Sequence, residues 1–317
     1  MVACHMKETS NLHHSVLMVE VLDQLAIRPD GIYVDATFGR GGHAAAILNQ
    51  LGPEGRLLAI DKDPDAVAYA KQHFGHDKRF FIQHGSFATL EQFLVNQNLL
   101  GKVDGLLFDL GVSSPQLDEA ERGFSFLRSG KLDMRMDFSQ GMDAATWIAK
   151  VSEKELARVL YEYGEERFSR RIAKAIVTAR DETPITTTQQ LAEIIATAHP
   201  AWQVGKHPAT RSFQAIRIAI NHELDNLHAG LLQSLKALKV GGRLLVISFH
   251  SLEDRIVKHF MQNQECGDQL PARLPIKHDS YLPKFKRVTR AIKPSTEEID
   301  SNPRARSAVL RVGEKIS

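Results

Sequence analysis

Gly31-Ile-Tyr-Val-Asp35 is a short β-rich run that leads into a glycine turn, Thr37-Phe-Gly-Arg-Gly-Gly42. A helical pattern follows over residues 43–51. Glycines between a strand and a helix let a ligand approach the backbone closely. This stretch therefore predicts the first strand–helix unit of a ligand-binding α/β domain.

Strand and helix patterns continue to alternate after this unit. Strands are predicted at Arg56–Asp61, 79–83 and Val103–Asp109, and helices at 64–73 and 91–98. Alternation of this kind predicts a doubly wound, mostly parallel sheet. Right-handed crossovers would bring the carboxyl ends of the strands to one edge, where such folds bind ligands.

The alternation is interrupted between residues 117 and 208. A charged, glycine-containing loop is predicted at 119–140, and helices at 143–149, 152–164, 166–180 and 188–198. Ser152 and Glu155 form a capping box, which is a helix-start signal. The interval is therefore predicted to be an all-helical insertion.

The sheet pattern resumes after the insertion. A long helix is predicted at 212–238, a strand at 243–248, a helix at 251–264 and a last strand at 307–312. The predicted organisation has three segments. Residues 10–117 and 209–317 form the two parts of the sheet domain, and 118–208 form a helical insertion for substrate recognition.

The composition is that of an ordinary soluble protein. Of 317 residues, 43% are hydrophobic and 25% are charged, and the net charge is +2. No apolar run reaches the roughly 18 residues of a membrane span, and we expect no secretory signal. Cys4 and Cys266 lie outside any CxxC pair, which favours a reducing cytoplasm and argues against structural zinc.

Two carboxylates indicate which cofactor the glycine turn would hold. Asp61 ends the second predicted strand, 20 residues after Gly41, where it can bind both ribose hydroxyls of either NAD or S-adenosylmethionine (SAM). Asp35 precedes the turn and favours SAM, because it would repel a pyrophosphate and attract the ammonium of the methionine part. The alternatives are structural: Asp35 caps the turn, or Asp61 caps the next helix.

Phe87 follows the third predicted strand, within His84-Gly-Ser-Phe87. In a SAM site this position reaches the adenine, on which the ring could stack. The alternative is that Phe87 is a core aromatic residue. Its position after the strand favours the cofactor.

The run Asp109-Leu-Gly-Val-Ser-Ser-Pro-Gln116 follows the fourth predicted strand. Polar oxygens at this edge can accept hydrogen bonds from an exocyclic amine and align its nitrogen with a methyl donor. Ser113, Ser114 and Asp109 are therefore the candidate catalytic residues. The alternative for the Ser-Ser-Pro stretch is an ordinary turn.

The run lacks an aromatic residue to hold the base, so Phe124 or Phe126 in the following loop is expected to do so. Methylation at carbon 5 of cytosine requires a cysteine nucleophile. Neither cysteine lies near the predicted strand ends. Direct transfer to nitrogen or oxygen is therefore favoured.

Other polar residues have weaker patterns. His250 and Glu253 could act as acid–base groups, but a capped helix start is the stronger interpretation. His13-His14 has no carboxylate or cysteine partner at ligand spacing, and no metal site is predicted.

Three basic groups suggest a phosphate-binding rim. One lies on a predicted helix (Arg167, Arg170, Arg171 and Lys174), and one at the return to the sheet, where Arg211 and Arg217 are the candidates. The third lies within 273–293, where Lys284, Lys286, Arg287 and Arg290 are the candidate RNA-binding residues.

Longer motifs resemble one known family. They are His14-Ser-Val-Leu, Asp35-Ala-Thr-Phe-Gly-Arg-Gly-Gly-His43, Ala59-Ile-Asp-Lys-Asp-Pro64, Phe108-Asp-Leu-Gly-Val-Ser-Ser-Pro-Gln-Leu-Asp118, Arg122-Gly-Phe-Ser-Phe126, Leu132-Asp-Met-Arg-Met-Asp137, Tyr163-Gly-Glu-Glu-Arg-Phe168, His207-Pro-Ala-Thr-Arg211, Ser248-Phe-His-Ser-Leu-Glu-Asp-Arg255 and Asn302-Pro-Arg-Ala-Arg-Ser307. With these motifs the chain resembles the bacterial 16S rRNA cytosine-N4 methyltransferase family (RsmH, also called MraW). The resemblance runs from about residue 13 to residue 312.

The resemblance implies a Rossmann-like, SAM-dependent methyltransferase domain interrupted by a helical domain. It implies methylation of the exocyclic N4 of one cytidine in the decoding region of 16S rRNA, with the 30S subunit as substrate. The cofactor contacts that it implies are Gly41, Gly42, His43, Asp61, Phe87, Asp109 and Gln116. Asp35 is an addition from the residues themselves.

Two other functions stay open at this point. The glycine spacing alone also fits an NAD-dependent oxidoreductase. The basic groups also fit an RNA-binding or ribosome-assembly factor that keeps a methyltransferase fold without its activity. No membrane partner is expected, and a homodimer is left open.

Overall fold

The structure is a computed structural model that describes residues 15–201, 205, 207–266 and 283–317. These residues form one seven-stranded sheet in the order β3-β2-β1-β4-β5-β7-β6. The strands are β1 (Ile32–Asp35), β2 (Arg56–Asp61), β3 (Phe80–His84), β4 (Val103–Asp109), β5 (Leu238–Ser248), β6 (Phe285–Arg287) and β7 (Val309–Lys315). Strands β1 to β5 are parallel, and β7 runs antiparallel to both β5 and β6. This confirms the predicted mostly parallel sheet.

Helices cover both faces of the sheet and form the insertion. They are α1 (Met18–Leu25), α2 (Gly42–Gln50), α3 (Pro64–Phe74), α4 (Leu90–Asn96), α5 (Ser114–Asp118), α6 (Ala144–Lys150), α7 (Glu153–Gly164), α8 (Ser169–Glu182), α9 (Thr188–Ala198), α10 (Thr210–Asn221), α11 (Glu223–Ala237), α12 (Ser251–Cys266) and α13 (Thr296–Ser301).

Two hydrophobic cores lie on opposite faces of the sheet. In β4, Leu107 belongs to the core that includes residues of α1 and α2, whereas Leu106 and Phe108 belong to the core that includes residues of α4 and α11. Successive side chains of a strand point to opposite faces, so a strand buried on both faces is apolar throughout. This explains the run of apolar residues in β4 and shows the doubly wound arrangement.

A third core lies within the helical region. It joins residues of α6 to α9 with Phe213 and Ile216 of α10, and α10 packs along α7. Helix α10 begins at Thr210, after the predicted end of the insertion, yet it contributes to this core. The three predicted segment boundaries stay a prediction.

The main differences from the predicted elements lie in the second part of the sheet domain. The long helix expected at 212–238 breaks at His222, whose φ of +52° ends α10 and starts α11. Strand β5 begins at Leu238, five residues earlier than expected, with a register irregularity against β4. Strand β6 lies in a segment that was expected to be a loop, because three basic and aromatic residues at a sheet edge give a weak strand signal.

Candidate functional site

A cleft of about 620 Å³ opens at the carboxyl ends of β1, β2 and β4. This is the edge where a ligand was expected, next to the point where the strand order reverses. The predicted site residues that line it are Gly41, Gly42, His43, Asp61, Phe87, Asp109, Ser113, Ser114 and Gln116. The structure thus brings together predicted site residues that lie at, or just after, the ends of β1, β2, β3 and β4.

The glycine turn is packed against its own neighbours. Gly41 has φ +73°, and a Cβ there would lie 2.6 Å from the Phe38 ring. A Cβ on Gly42 would overlap the Ser15 hydroxyl at 1.9 Å. Gly41 therefore requires glycine, whereas a side chain at Gly42 would have to displace Ser15, and the chain bends tightly beside the cleft.

Asp61 occupies the end of β2 and holds the turn. Its two carboxylate oxygens accept the N–H groups of Gly39 (2.7 Å) and Asp63 (2.8 Å). Burial raises its pKa to about 6. The cap of α3 is Asp63, which accepts the N–H of Asp65 at 3.0 Å. The alternative in which Asp61 caps that helix is therefore wrong.

Asp109, at the end of β4, carries an unsatisfied oxygen. Its Oδ1 is buried and has no hydrogen-bond partner among the described residues, while Oδ2 lies 3.6 Å from Nδ1 of His43. Burial, with the nearby charges of Asp35 and Glu253, raises the pKa of Asp109 well above its usual range. A cationic donor in the cleft would complete this site.

A hydrogen bond to a backbone carbonyl fixes the orientation of the His43 ring. Its Nε2 donates to the Val16 carbonyl at 3.1 Å, which leaves Nδ1 as the unprotonated nitrogen toward Asp109. Burial lowers its pKa to about 4. His43 is therefore neutral near pH 7 and adds no positive charge beside the carboxylates.

The structure places Asp35 away from the position expected for a residue that contacts the cofactor. Its side chain is 1% exposed and does not line the cleft, and its Oδ1 accepts the N–H of Thr37 at 3.1 Å. It therefore caps the turn, as in the structural alternative, and lies behind the cleft wall rather than in contact with a ligand. Burial raises its pKa to about 7, and its charge acts on Asp109.

Comparison with known proteins identifies the family. The chain matches the model of the MraW methylase family over residues 10–316. The chain belongs to this family. Ribosomal RNA small subunit methyltransferase H of Legionella pneumophila (strain Paris) is 58% identical over 305 residues, covering 96% of this chain and 99% of that protein.

The chain is also similar to a second curated protein and, more weakly, to a solved structure. The protein of the same name from Coxiella burnetii (strain RSA 331 / Henzerling II) is 56% identical over 305 residues, with 96% of this chain and 99% of that protein covered. The structure of an rRNA methylase from Streptococcus thermophilus has a TM-score of 0.39 at 13% identity and covers 94% of this chain and 95% of that one. Membership of the MraW methylase family confirms the family that the motifs predicted. The predicted cofactor, SAM, is consistent with this family.

A network of polar side chains braces this methylase's cleft and was missed by the sequence analysis. The buried carboxylate of Asp63 accepts both Gln116 Nε2 and Arg122 Nη1 at 2.8 Å. Arg122 Nη2 also donates to the Met136 carbonyl at 2.9 Å, and Gln116 Oε1 accepts the N–H of Ser113 at 3.0 Å. These bonds join three loops around the cleft.

A second network ties the sheet to the helical region. The Lys62 amine donates to the carbonyl of Asn221 at 2.7 Å. The Asn221 side chain accepts the N–H of Met136 and donates to the Met134 carbonyl, both at 2.7 Å. Burial lowers the pKa of Lys62, although the charges of Glu223 and Asp137 oppose this. The break between α10 and α11 is thus fixed beside the cleft.

The aromatic candidates divide in two. Phe87 lines the cleft and packs edge-on against Phe108 at 5.1 Å between ring centres. Phe124 is buried, and Phe126 packs against His207 and Phe213 in the helical region. Neither Phe124 nor Phe126 lines the cleft, and the expectation that one of them holds the base stays a prediction.

His250 and Glu253 lie at the start of α12. Glu253 Oε2 accepts the N–H groups of Phe249 (2.9 Å) and His250 (3.3 Å). Although burial opposes it, the contact with His250 and the charge of Arg217 lower the pKa of Glu253. The carboxylate therefore stabilises the helix start, in agreement with the structural interpretation.

Three of the six predicted RNA-binding cations form ion pairs within the described residues. Arg217 forms a two-bond ion pair with Glu223, both bonds at 2.8 Å, and its side chain is only 16% exposed. Lys286 pairs with Glu314, and Arg287 pairs with Glu265. Arg211 donates to the Glu165 carbonyl at 3.2 Å, and Lys284 and Arg290 are exposed. The RNA-binding role of the six cations stays a prediction, and three of them already have an acidic partner in the fold.

Some predictions fall outside the described residues. They concern His13-His14, Cys4 and the part of the basic segment at 273–282. Within the described ranges, no helix is long and apolar enough to cross a membrane, and no cluster of three or more His, Cys, Asp or Glu could hold a metal ion.

Proposed function

We propose that this methylase transfers a methyl group from SAM directly to the exocyclic N4 of a cytidine in the decoding region of 16S rRNA. The observation that carries the proposal is the cleft wall formed by Asp61 and Asp109, two carboxylates at the ends of β2 and β4, the strands on either side of β1. The names of the relatives, which are rRNA small-subunit methyltransferases, support the substrate class.

The donor set suits SAM, which supplies an electrophilic methyl group on a sulfonium centre. Each oxygen of Asp61 accepts one backbone N–H and keeps a lone pair for a ribose hydroxyl. Asp109 lines the cleft, has no hydrogen-bond donor on Oδ1 among the described residues, and would accept the ammonium group through its carboxylate. Phe87 would contact the adenine from the third strand. Gly41, Gly42, His43 and Gln116 shape the wall around these contacts.

Direct transfer follows from the side chains at the cleft. The described residues that line it include no cysteine, so no thiolate is available to attack the base. Ser113 and Ser114 lie on the wall beside Asp109 and would accept hydrogen bonds from the N4 amine. Acceptors at the amine would align the nitrogen lone pair with the methyl group, and the N4 proton would pass to solvent.

The same function sets the partner and the place of action. We propose the 30S subunit in the cytoplasm as the substrate, with the helical region over 118–208 positioning the RNA. An NAD-dependent oxidoreductase is disfavoured, because buried carboxylates beside the glycine turn would repel a pyrophosphate.

The test uses methyl-labelled SAM and 30S subunits from cells that lack this activity. After reaction, the rRNA is digested to nucleosides and the labelled nucleoside is identified. Label in N4-methylcytidine is the expected result. Label in 5-methylcytidine or in a ribose would contradict the proposed chemistry, and binding of NADH in preference to SAM would contradict the cofactor.

A further inference from the structure

The start of helix α8 carries an unusual concentration of positive charge. Arg167, Arg170, Arg171 and Lys174 are all exposed, and we call this group the α8 basic face. None of the four forms an ion pair with any residue in the described part of the chain; Arg167 lies over the Phe168 ring at 5.2 Å. By contrast, Arg158 on the neighbouring helix is paired with Glu155 and Glu162.

This arrangement opposes the stability of the helix. The first turn of α8 contains Arg170 and Arg171 and no acidic residue, although the amino end of a helix favours negative charge. Arg170 and Lys174 are four residues apart, a spacing at which like charges repel on a helix. Charges that cost stability without a partner in the fold fit an anionic partner outside it.

The segment that leads into α8 contacts the start of α12, beside the cleft. Glu165, just before α8, accepts Ser251 Oγ at 2.8 Å and Arg255 Nη2 at 3.0 Å. Ser251 begins α12, and Phe249 and Glu253 on either side of it line the cleft. Arg255 is paired with Glu165, and Arg211 donates to the Glu165 carbonyl, so both hold this segment against its neighbours.

We propose that the α8 basic face binds the phosphate backbone of the rRNA that enters the cleft. The inference rests on the proposed function for the identity of the polyanion, and it names where the RNA lies. It favours α8 over the edge strand β6, because Lys286 and Arg287 on β6 are held by Glu314 and Glu265.

The register also separates the two surfaces. Lys286 pairs with Glu314, which lies opposite Arg243 in β5, and Arg243 is five residues before the cleft end of that strand at Ser248. The cations of β6 therefore lie towards the amino end of β5. Glu165, just before α8, contacts Ser251 beyond the carboxyl end of β5.

The test compares two variants that each remove two positive charges. Arg170→Gln with Arg171→Gln neutralises the basic face and keeps good helix formers. Lys150→Gln with Lys154→Gln is the control, since both lysines are exposed and have no ion-pair partner in the described ranges. Lys154 is near the start of α7, roughly 15 Å along the helix from its end beside α8.

Binding of the full-length protein to naked 16S rRNA and to unmethylated 30S subunits is measured over a range of salt concentrations. For the α8 variant we expect the Kd to rise about tenfold and the slope of log Kd against log salt to fall by about 1 to 2. The control variant should bind RNA like the wild type. The SAM Kd should be unchanged in both variants.

An unchanged Kd and slope in the α8 variant would overturn the proposal, as would equal weakening in the control. Weakening on 30S subunits but not on naked rRNA would also overturn it, because a ribosomal protein would then be the partner. A wild-type protein that binds rRNA in this way without methylating it would contradict the proposed function alone.

Discussion

Replacing Asp35 with asparagine should make the cofactor-free protein more stable at alkaline pH. Asp35 is 1% exposed, and burial raises its pKa from 3.8 to about 7. A raised carboxyl pKa means that the folded protein holds a proton that the unfolded chain has released. This contribution to stability is complete below pH 4, declines as the pH rises, and is lost above pH 7.

The size of the effect follows from the pKa. At 1.36 kcal/mol for each pH unit, a rise from 3.8 to about 7 corresponds to a loss of about 4 kcal/mol between pH 4 and pH 8. Asparagine keeps the oxygen that accepts the N–H of Thr37 and never ionises. About 3 kcal/mol of this loss falls between pH 5 and pH 8, so the advantage of the Asp35→Asn variant over the wild type should be about 3 kcal/mol larger at pH 8 than at pH 5.

Urea unfolding followed by circular dichroism at pH 5 and pH 8, without SAM, measures both free energies of unfolding. Asp225→Asn is the control, because Asp225 is exposed in the first turn of α11. Its pH dependence should parallel that of the wild type. The reasoning would be refuted if Asp35→Asn and the wild type lost the same stability between the two pH values.

Three further predictions concern the cleft. Asp61→Ala should weaken SAM binding by about 1–3 kcal/mol, because hydroxyl partners lose their acceptor; an unchanged Kd by calorimetry would remove Asp61 from the site. SAM binding by the wild type should weaken about tenfold from pH 7 to pH 5 as Asp61, with a pKa of about 6, gains a proton; a flat pH profile would contradict this. Arg122→Gln should lower the free energy of unfolding by about 3–5 kcal/mol, because it leaves Asp63 buried without its cation. Adding Asp63→Asn should restore part of that loss in urea unfolding, and no recovery would contradict the pairing.

The sequence was most informative where function depends on the ends of strands. Asp61 and Asp109 could be placed on the cleft because each directly follows an apolar strand and parallel strands end at one edge. The limits of β2 and β4 were predicted correctly for the same reason, since apolar runs bounded by turns give a clear signal.

Long-range contacts could not be predicted. Gln116 and Asp63 are 53 residues apart, and Asn221 and Met134 are 87 residues apart. No local pattern in a single sequence reports that such residues meet. Asp63, Gln116 and Arg122 do lie in the motifs that carried the family resemblance. The motifs therefore indicated that these residues matter, but not that they contact one another.

The predicted roles of two charged residues were limited in the same way. Arg217 was expected to contact RNA, but the backbone break at His222 brings Glu223 back against it. Asp35 was expected to face the cofactor, but its side chain turns under the glycine loop to accept the N–H of Thr37. For both residues the sequence showed the residue type and its position along the chain. The direction of each side chain depended on packing.

The most direct test of the proposed function is to map the methyl group on the RNA. Unmethylated 30S subunits are treated with excess protein and SAM, and rRNA fragments are analysed by mass spectrometry. The account predicts one added methyl group, on N4 of one cytidine in the decoding region, and none with Asp109→Ala. Methylation elsewhere, or full activity of the Asp109→Ala variant, would contradict it.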